Sequence, residues 1–209
     1  MVLSIASILC AVAVPQLISQ RRLTRSTGVT REIMTQMRLA RQMAMTQAGA
    51  TPTGVLRRVA YTFQYDNATK QISVIGPIPA GTAALDVANG YPNNPGSSVA
   101  VSVPLSQGGL ATSEISTGIP TGLPGSPTAV DGSTGVTLAA SGKLNITFQP
   151  DGSVIDATNT PVDTALFIYN NQASQGTASA ISVRGASGRV KIWRYTVNAN
   201  NANSSTYIE

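Results

Sequence analysis

The chain opens with a run of apolar residues that contains no charge. No charged side chain occurs between positions 1 and 20, and the apolar residues from 2 to 18 are numerous enough for a helix that crosses most of a bilayer. Pro15 interrupts this run. We predict that residues 1–20 form the transmembrane half of an N-terminal helix. The side chains expected to face lipid or other helices are Leu3, Ile5, Ile8, Leu9, Val12, Val14 and Pro15.

The apolar pattern then continues at helical spacing. Apolar positions recur at intervals of four and three, which is typical of one stripe along an amphipathic helix. The stripe consists of Val29, Ile33, Met37, Ala40, Ala44 and Ala48. Gly49 and the Thr51-Pro52 pair provide a stop, because glycine closes helices and proline disfavours the α conformation of the residue before it. We predict an amphipathic stem helix over residues 21–49, continuous with the apolar half from about Val2.

Beyond residue 50 the apolar residues no longer recur at helical spacing but at every second position. Val59, Tyr61, Phe63 and Tyr65 alternate with small or polar residues, and alternation resumes at 70–75 after Asp66-Asn67, which predicts a β-hairpin. Further strands are predicted at 143–149, 153–156, 164–170, 180–185 and 188–196, with a turn at Pro150-Asp151-Gly152. The fold class is therefore predicted as α+β, with a long N-terminal helix packed on an antiparallel β-sheet.

The change in composition along the chain suggests where the domain lies. Residues 50–197 are predicted as one β-rich globular domain, because 209 residues are hardly enough for two full domains. Positions 76–135 are rich in Pro, Gly, Ser, Thr and Asn and are interpreted as an insertion packed on the sheet. Positions 198–209 are predicted to be a polar C-terminal tail. Only 11% of all residues are charged, a composition usual for loop-rich β structure outside the cytosol.

The net charge of +5 is unevenly placed. Eight arginines lie between positions 21 and 58 against Glu32 alone, a net +7, while the rest of the chain carries −2. The basic residues therefore belong to the stem. We interpret them as a solvated helix face near anionic lipid headgroups or near an acidic neighbouring subunit, in preference to a nucleic-acid surface.

Several kinds of chemistry are excluded by the residues that the sequence lacks. There is no histidine, and Cys10 is the only cysteine. Zinc sites of the Cys/His type, Ser-His and Cys-His catalysis, and disulfides within the chain are thereby excluded. Asp151 lies beside Gly152 without the series of acidic ligands that a calcium loop needs, so turn chemistry is the better interpretation. We expect no metal and no cofactor, and we do not expect an enzyme.

The order of these features resembles the type IV pilin family. An apolar segment ends in Ala-Val-Pro-Gln at 13–16 and an Arg- and Gln-rich amphipathic helix follows. The segment MRLARQMAMTQ at 37–47 is similar to the helix end of GspH and FimT pseudopilins. ITFQPDGSV at 146–154 and SGRVKIW at 187–193 resemble the two late signatures of that family. The resemblance covers roughly residues 1–75 and 136–197.

This resemblance implies a minor pilin or pseudopilin, a structural subunit of a type II secretion pseudopilus or a type IV pilus. The N-terminal helix would anchor the chain once in the inner membrane, with the C-terminal domain in the periplasm, and would assemble with other pilin subunits and the inner-membrane assembly platform. The arginines at 21, 22 and 25 follow the apolar segment and contradict this orientation by the positive-inside rule. We therefore expect a basic leader before Met1, to be cut by a leader peptidase ahead of N-methylation.

The last predicted strand suggests an alternative function. Arg189, Lys191, Trp193 and Tyr195 share one face by period two, and cations interleaved with aromatic rings are suited to bind a nucleic-acid backbone and stack on bases. The resemblance to FimT-type minor pilins, which act in DNA uptake, supports DNA as a partner. The competing interpretation packs Trp193 and Tyr195 under the insertion and leaves the two cations solvated.

Overall fold

In the computed structural model, one long helix lies against two β-sheets. The structure describes residues 2–50, 56–79, 85–86, 98–105, 114–118, 120, 129–155, 160–172, 174–196 and 206–209. Helix α1 spans Val2–Thr46, and a short helix, α2, spans Ser174–Thr177. The α+β fold class predicted from the sequence is confirmed.

The strands form two sheets of six and seven strands. The first sheet contains β1 (Ala48–Ala50), β2 (Leu56–Asp66), β3 (Gln71–Pro79), β4 (Leu85–Asp86), β5 (Ser98–Pro104) and β9 (Lys143–Phe148). The second contains β6 (Ile115–Thr117), β7 (Ala129–Val130), β8 (Ser133–Val136), β10 (Thr164–Asn170), β11 (Ser179–Arg184), β12 (Arg189–Thr196) and β13 (Thr206–Ile208). The first sheet has the order β4-β9-β2-β3-β5, with β1 beside β2, and the second has the order β13-β12-β11-β10-β8-β7, with β6 beside β10.

Helix α1 follows the predicted stripe. It continues through Pro15 and Gly28 and ends at Thr46, three residues before the predicted end at 49, so Ala48 of the predicted stripe lies in β1 instead. Five stripe residues are at most 3% exposed: Val29, Ile33, Met37, Ala40 and Ala44. The stripe is extended by two buried hydroxyls, since Ser26 Oγ donates to the Thr177 carbonyl at 2.9 Å and Thr30 Oγ1 lies 2.8 Å from Ser179 Oγ. The stem helix is therefore buried along one face over residues 26–44.

The predicted hairpin is confirmed as β2 and β3, which pair antiparallel with Phe63 opposite Val74. Asp66 Oδ1 accepts the backbone N–H groups of Ala68 and Thr69, at 2.9 and 3.2 Å, which is the local bond that favours Asp at the start of a turn. Phe63 and Tyr65 are completely buried. This hairpin is the part of the first sheet that packs most extensively on α1.

The strands predicted at 143–149, 164–170, 180–185 and 188–196 are confirmed as β9, β10, β11 and β12 within one or two residues at each end. The Asp-Gly turn also forms: Gly152 has a φ of 83° and its N–H donates to the Gln149 carbonyl at 2.8 Å. The run at 153–156 is not a strand in its described part. It contributes only two isolated bridges, from Val154 to Phe148 and from Ile155 to Pro161.

The β structure differs from the expectation of one antiparallel sheet. Two sheets cover α1, and β8 pairs with β10 in parallel. The described strands of positions 76–135 belong to both sheets, since β5 extends the first while β6 and β8 flank β10 in the second. These strands are short, so their pairing depends on distant partners and leaves little periodicity in the sequence. The final strand, β13, pairs with β12 and was not predicted.

We expect Met37→Ala to lower the free energy of unfolding by about 2–5 kcal/mol, because Met37 is fully buried and the change leaves a cavity. Met45→Ala is the matched control on the same helix. Met45 is 49% exposed, so the loss should stay below about 1 kcal/mol. Urea denaturation followed by the fluorescence of Trp193, the only tryptophan, measures both. Equal losses would contradict the burial of this stripe.

Candidate functional site

The predicted membrane and filament residues lie on the N-terminal part of α1. Val14 and Pro15 are exposed there, as are Leu17, Ile18 and Leu23. Leu3, Ile5, Ile8, Leu9 and Val12 belong to the same helix, and their side chains lie outside the described residues. Within the described chain, no helix reaches both the length and the apolar character that a membrane crossing requires.

The candidate nucleic-acid residues lie together on β12, and their surroundings differ. Arg189 is largely exposed, with 64% of its side-chain surface accessible, whereas the Lys191 side chain is 15% exposed. Trp193 is partly buried and its indole N–H donates to Ser182 Oγ at 2.8 Å. Tyr195 is buried in a small cluster with Phe167. The two aromatic rings therefore take part in packing, and of the two cations only Arg189 is largely exposed while the Lys191 side chain is mostly covered.

Glu209, which follows β13, binds both cations. Lys191 Nζ donates to Glu209 Oε2 at 2.5 Å, and Arg189 Nη2 lies 3.9 Å from Glu209 Oε1. Lys191 Nζ also lies 5.0 Å from the centre of the Trp193 ring, within the range of a cation–π contact. The hydrogen bond from Lys191 is the main reason that the pKa of the Glu209 carboxyl lies below its usual value, and the positive charges of Lys191 and Arg189 add to this. The cations are thus paired, not simply solvated.

The three sequence motifs at 37–47, 146–154 and 187–193 meet at one place. Arg41 from the first motif donates through Nη2 to the Ser187 carbonyl of the third at 3.1 Å. Arg38 donates through Nη2 to the Val190 carbonyl at 3.3 Å. The second motif reaches the turn that leads into the third, because the Val154 N–H donates to the carbonyl of Gly185, two residues before that motif, at 2.7 Å. The motifs therefore describe one junction between the stem helix and two β-turns.

Two glycines allow this junction to close. Gly152 and Gly188 both have positive φ, 83° and 57°, a conformation that side chains with a Cβ disfavour. A Cβ on Gly188 would lie 1.8 Å from the Gly152 carbonyl oxygen and 3.1 Å from Arg41 Nε. A Cβ on Gly152 would lie 3.1 Å from the Met45 sulfur. Gly188 thus needs to be glycine for close approach as well as for backbone conformation, whereas Gly152 needs it for backbone conformation, because its nearest neighbours are flexible side chains.

A groove of about 710 Å³ opens beside this junction. Its helix side carries Arg38, Arg41 and Met45, and its strand side carries Gly188, Arg189 and Val190. Three guanidinium groups thus line one groove. Arg38 and Arg41 belong to the basic stem predicted from the sequence, but the helical pattern gave no signal that they would meet Arg189, which is 151 and 148 positions away.

Asp151, considered above as a turn residue, and Asp163 both have local roles. Asp151 Oδ1 accepts the Ser153 N–H at 2.9 Å and the Ser153 hydroxyl at 2.6 Å, and these bonds lower the pKa of the Asp151 carboxyl. Asp163 forms an ion pair with Arg184 at 3.0 Å and accepts the Gly185 N–H at 2.7 Å. The interpretation of Asp151 as a turn residue is confirmed. Among the described residues, no group of three metal-ligating side chains comes together.

No family model, no curated protein and no solved structure matches this chain.

We expect Gly188→Ala to lower the free energy of unfolding by about 3 kcal/mol or more, because the new Cβ would collide with the Gly152 carbonyl in a left-handed backbone conformation. Gly28→Ala is the control: Gly28 lies in α1 with open space around it, so alanine should stabilise the helix by about 0.5–1 kcal/mol. Urea denaturation of both variants distinguishes a packed junction from a loose one. A neutral Gly188→Ala would contradict the close approach of the two turns.

We expect Lys191→Gln to raise the pKa of Glu209 toward its ordinary value, and Arg189→Gln to raise it less, since Lys191 donates the hydrogen bond. The sign follows from the depressed pKa: the contact is present above the ordinary carboxyl pKa and is lost as pH falls through the lower, folded-state value. Carbon-13 NMR titration of the Glu209 carboxyl measures the midpoint. An unchanged midpoint in Lys191→Gln would rule out this contact.

Proposed function

We propose that this protein is a non-catalytic pilin-like subunit that is anchored once in the inner membrane and assembles through its N-terminal helix. The filament is a type II secretion pseudopilus or a type IV pilus. The observation that carries this proposal is the contrast between the two parts of α1. One stripe of the helix over residues 26–44 is buried by the sheets, whereas apolar residues before it are exposed.

The exposed apolar residues of α1 would be stabilised by contact with lipid or with another protein chain. Val14, Leu17, Ile18 and Leu23 are each 45–52% exposed, and the first three share one face of the helix by their spacing. Apolar surface in water costs about 25 cal/mol per Å², and a contiguous apolar patch on a protein surface marks a partner or a membrane. Lipid before assembly, and sister helices after it, would each supply this contact.

The dimensions of the helix agree with this role. Residues 2–20 belong to one uninterrupted helix and extend over about 28 Å at a rise of about 1.5 Å per residue, close to the hydrocarbon thickness of a bilayer of about 30 Å. Arg21 and Arg22 follow directly, at the level where basic side chains meet anionic headgroups. With the apolar segment in the hydrocarbon layer, the first basic residues of the stem would thus lie at the membrane surface.

The motif junction supports the family resemblance independently of the exposed apolar segment of α1. The three segments that resemble GspH and FimT signatures are far apart in sequence, yet Arg41, Gly152 and Gly188 lie in contact. If the three segments are signatures of one family, their contact in the folded chain gives a structural reason why they would occur together. On this proposal, the partners are other pilin subunits, the inner-membrane assembly platform and membrane lipid, with a leader peptidase acting on a precursor and the β-rich domain in the periplasm.

Nucleic-acid binding during DNA uptake is the second candidate function. It is favoured by the Lys191 ammonium above the Trp193 ring and by the exposed Arg189 guanidinium. Glu209 reduces the charge of this surface, and the Trp193 indole N–H is already bonded to Ser182. The assembly function therefore has the stronger support, because the apolar surface of α1 has no comparable partner within the described chain.

Cysteine cross-linking in membranes tests the assembly function. In a Cys10→Ala background, we expect two copies of Leu17→Cys to form a disulfide-linked dimer when their thiols are oxidised with copper phenanthroline, because Leu17 would face the helices of sister subunits. Thr69→Cys, on the exposed turn between β2 and β3, is the matched control and should stay monomeric. Non-reducing gels and mass spectrometry identify the products.

Two results would contradict the assembly function. One is a Leu17→Cys protein that stays monomeric under oxidation while remaining in the membrane fraction. The other is release of the full chain from membranes by alkaline carbonate, which would also contradict the proposed anchoring of the N-terminal helix in the bilayer.

A further inference from the structure

The groove beside the motif junction carries an unbalanced positive charge. It is lined by the guanidinium groups of Arg38, Arg41 and Arg189, and no carboxylate is among its described lining residues. Arg189 has only the distant contact with Glu209 at 3.9 Å. Three like charges that face one groove repel each other, so an anionic ligand would stabilise them.

Two of the three guanidinium groups, those of Arg38 and Arg41, are held in place by hydrogen bonds to the backbone. Arg38 and Arg41 each donate one hydrogen bond to a main-chain carbonyl, of Val190 and Ser187. A guanidinium has five N–H donors, so most of the donors of both residues are not used by these bonds. Arg41 Nε is buried against Gly188 without an acceptor among the described residues. Side chains fixed in this way lose little conformational entropy when a ligand binds.

The lining indicates the chemical class of the ligand. Guanidinium groups bind carboxylates in bidentate geometry, and Met45, 49% exposed, adds an apolar wall. The volume of about 710 Å³ is far larger than a single small anion. We propose that this groove binds an acidic peptide segment of a partner protein, whose Asp and Glu carboxylates pair with Arg38, Arg41 and Arg189.

A nucleic acid fits this groove less well. Proteins that bind single strands place aromatic side chains where the bases stack, and no aromatic residue is among the described lining residues of the groove. Trp193, farther along β12, has its indole N–H bonded to Ser182. The groove therefore offers charge and apolar contact without a stacking surface.

The chain itself provides an example of the proposed contact. Glu209 follows the short strand β13 and brings its carboxylate to Lys191 and Arg189. An acidic side chain on an extended segment thus already reaches the outer end of the arginine cluster. A partner segment rich in Asp or Glu would extend the same kind of pairing to Arg38 and Arg41.

This inference goes beyond the proposed assembly function. The groove begins at Arg38, about 22 Å along the helix from Leu23, the last of the exposed apolar residues. The groove and the exposed apolar surface can therefore be tested separately, and either one can fail without the other.

Fluorescence anisotropy with the full chain in detergent micelles tests the proposal. The probes are a fluorescein-labelled peptide of alternating Glu and Gly and the same peptide with Gln in place of Glu. We expect only the Glu peptide to bind. The double variant Arg38→Gln/Arg189→Gln should weaken this binding about tenfold, because two ion pairs are lost. Arg41 is left in place, since it packs against the two glycines of the junction.

The matched control is Arg21→Gln/Arg31→Gln, which removes the same charge from exposed positions on the same helix outside the groove. This control should change the affinity less than about twofold if binding is local. Circular dichroism checks that both double variants keep the fold, as expected for exposed arginines.

Three outcomes would overturn the proposal. The first is a Glu peptide that does not bind the wild-type chain. The second is an equal loss in the two double variants, which would mean attraction by the overall charge of the stem. The third is a single-stranded oligonucleotide of equal charge that binds more tightly than the Glu peptide and is released by Arg38→Gln/Arg189→Gln, which would assign the groove to nucleic acid.

Discussion

The arrangement of the two sheets depends on the burial of one stripe of α1 between them. Ile33, Met37 and Ala40 are completely buried, and α1 contacts β2, β3 and β9 of the first sheet as well as β10, β11 and β12 of the second. Neither sheet encloses the helix alone. Because the stripe is shared, the two sheets are held relative to each other through the helix, and the turns at their ends come together around Arg41. The motif junction is thus a consequence of helix burial as much as of turn chemistry.

Sequence periodicity predicts the elements that owe their shape to local spacing. The buried stripe of α1, the β2–β3 hairpin and the strands β9, β11 and β12 show it, because each repeats apolar residues at a constant interval. Strand β10 is recognised instead as a short apolar run, since it is buried on both faces. The division into two sheets, the parallel pairing of β8 with β10 and the strand β13 do not show this periodicity. They depend on contacts between short segments that lie far apart in the chain, and such segments carry too few residues for a period to be recognised.

The candidate sites divide in the same way. The alternation of Arg189, Lys191 and Trp193 on one strand was visible in the sequence, whereas the carboxylate that binds the two cations was not, since Glu209 lies beyond a polar stretch without any pattern. The groove lined by Arg38, Arg41 and Arg189 could not be predicted from the sequence either. Arg38 and Arg41 contact residues 152 and 146 positions away, and only the folded helix and the turn between β11 and β12 place the three guanidinium groups side by side. Charge along a sequence indicates a basic surface, but its shape depends on tertiary structure.

The continuity of α1 has a mechanical consequence. A helix without a break from Val2 to Thr46 has no loop between its exposed apolar part and the part packed on the sheets, so an axial force applied near its N-terminal end would be carried to the packed stripe with little bending. There the load would be spread over the contacts of α1 with both sheets, acting along the helix surface in shear. Pro15 removes one hydrogen bond from this rod, and it lies before the packed region. A force that pulls on the N-terminal segment would therefore act on both sheets at the same time, through their contacts with the helix.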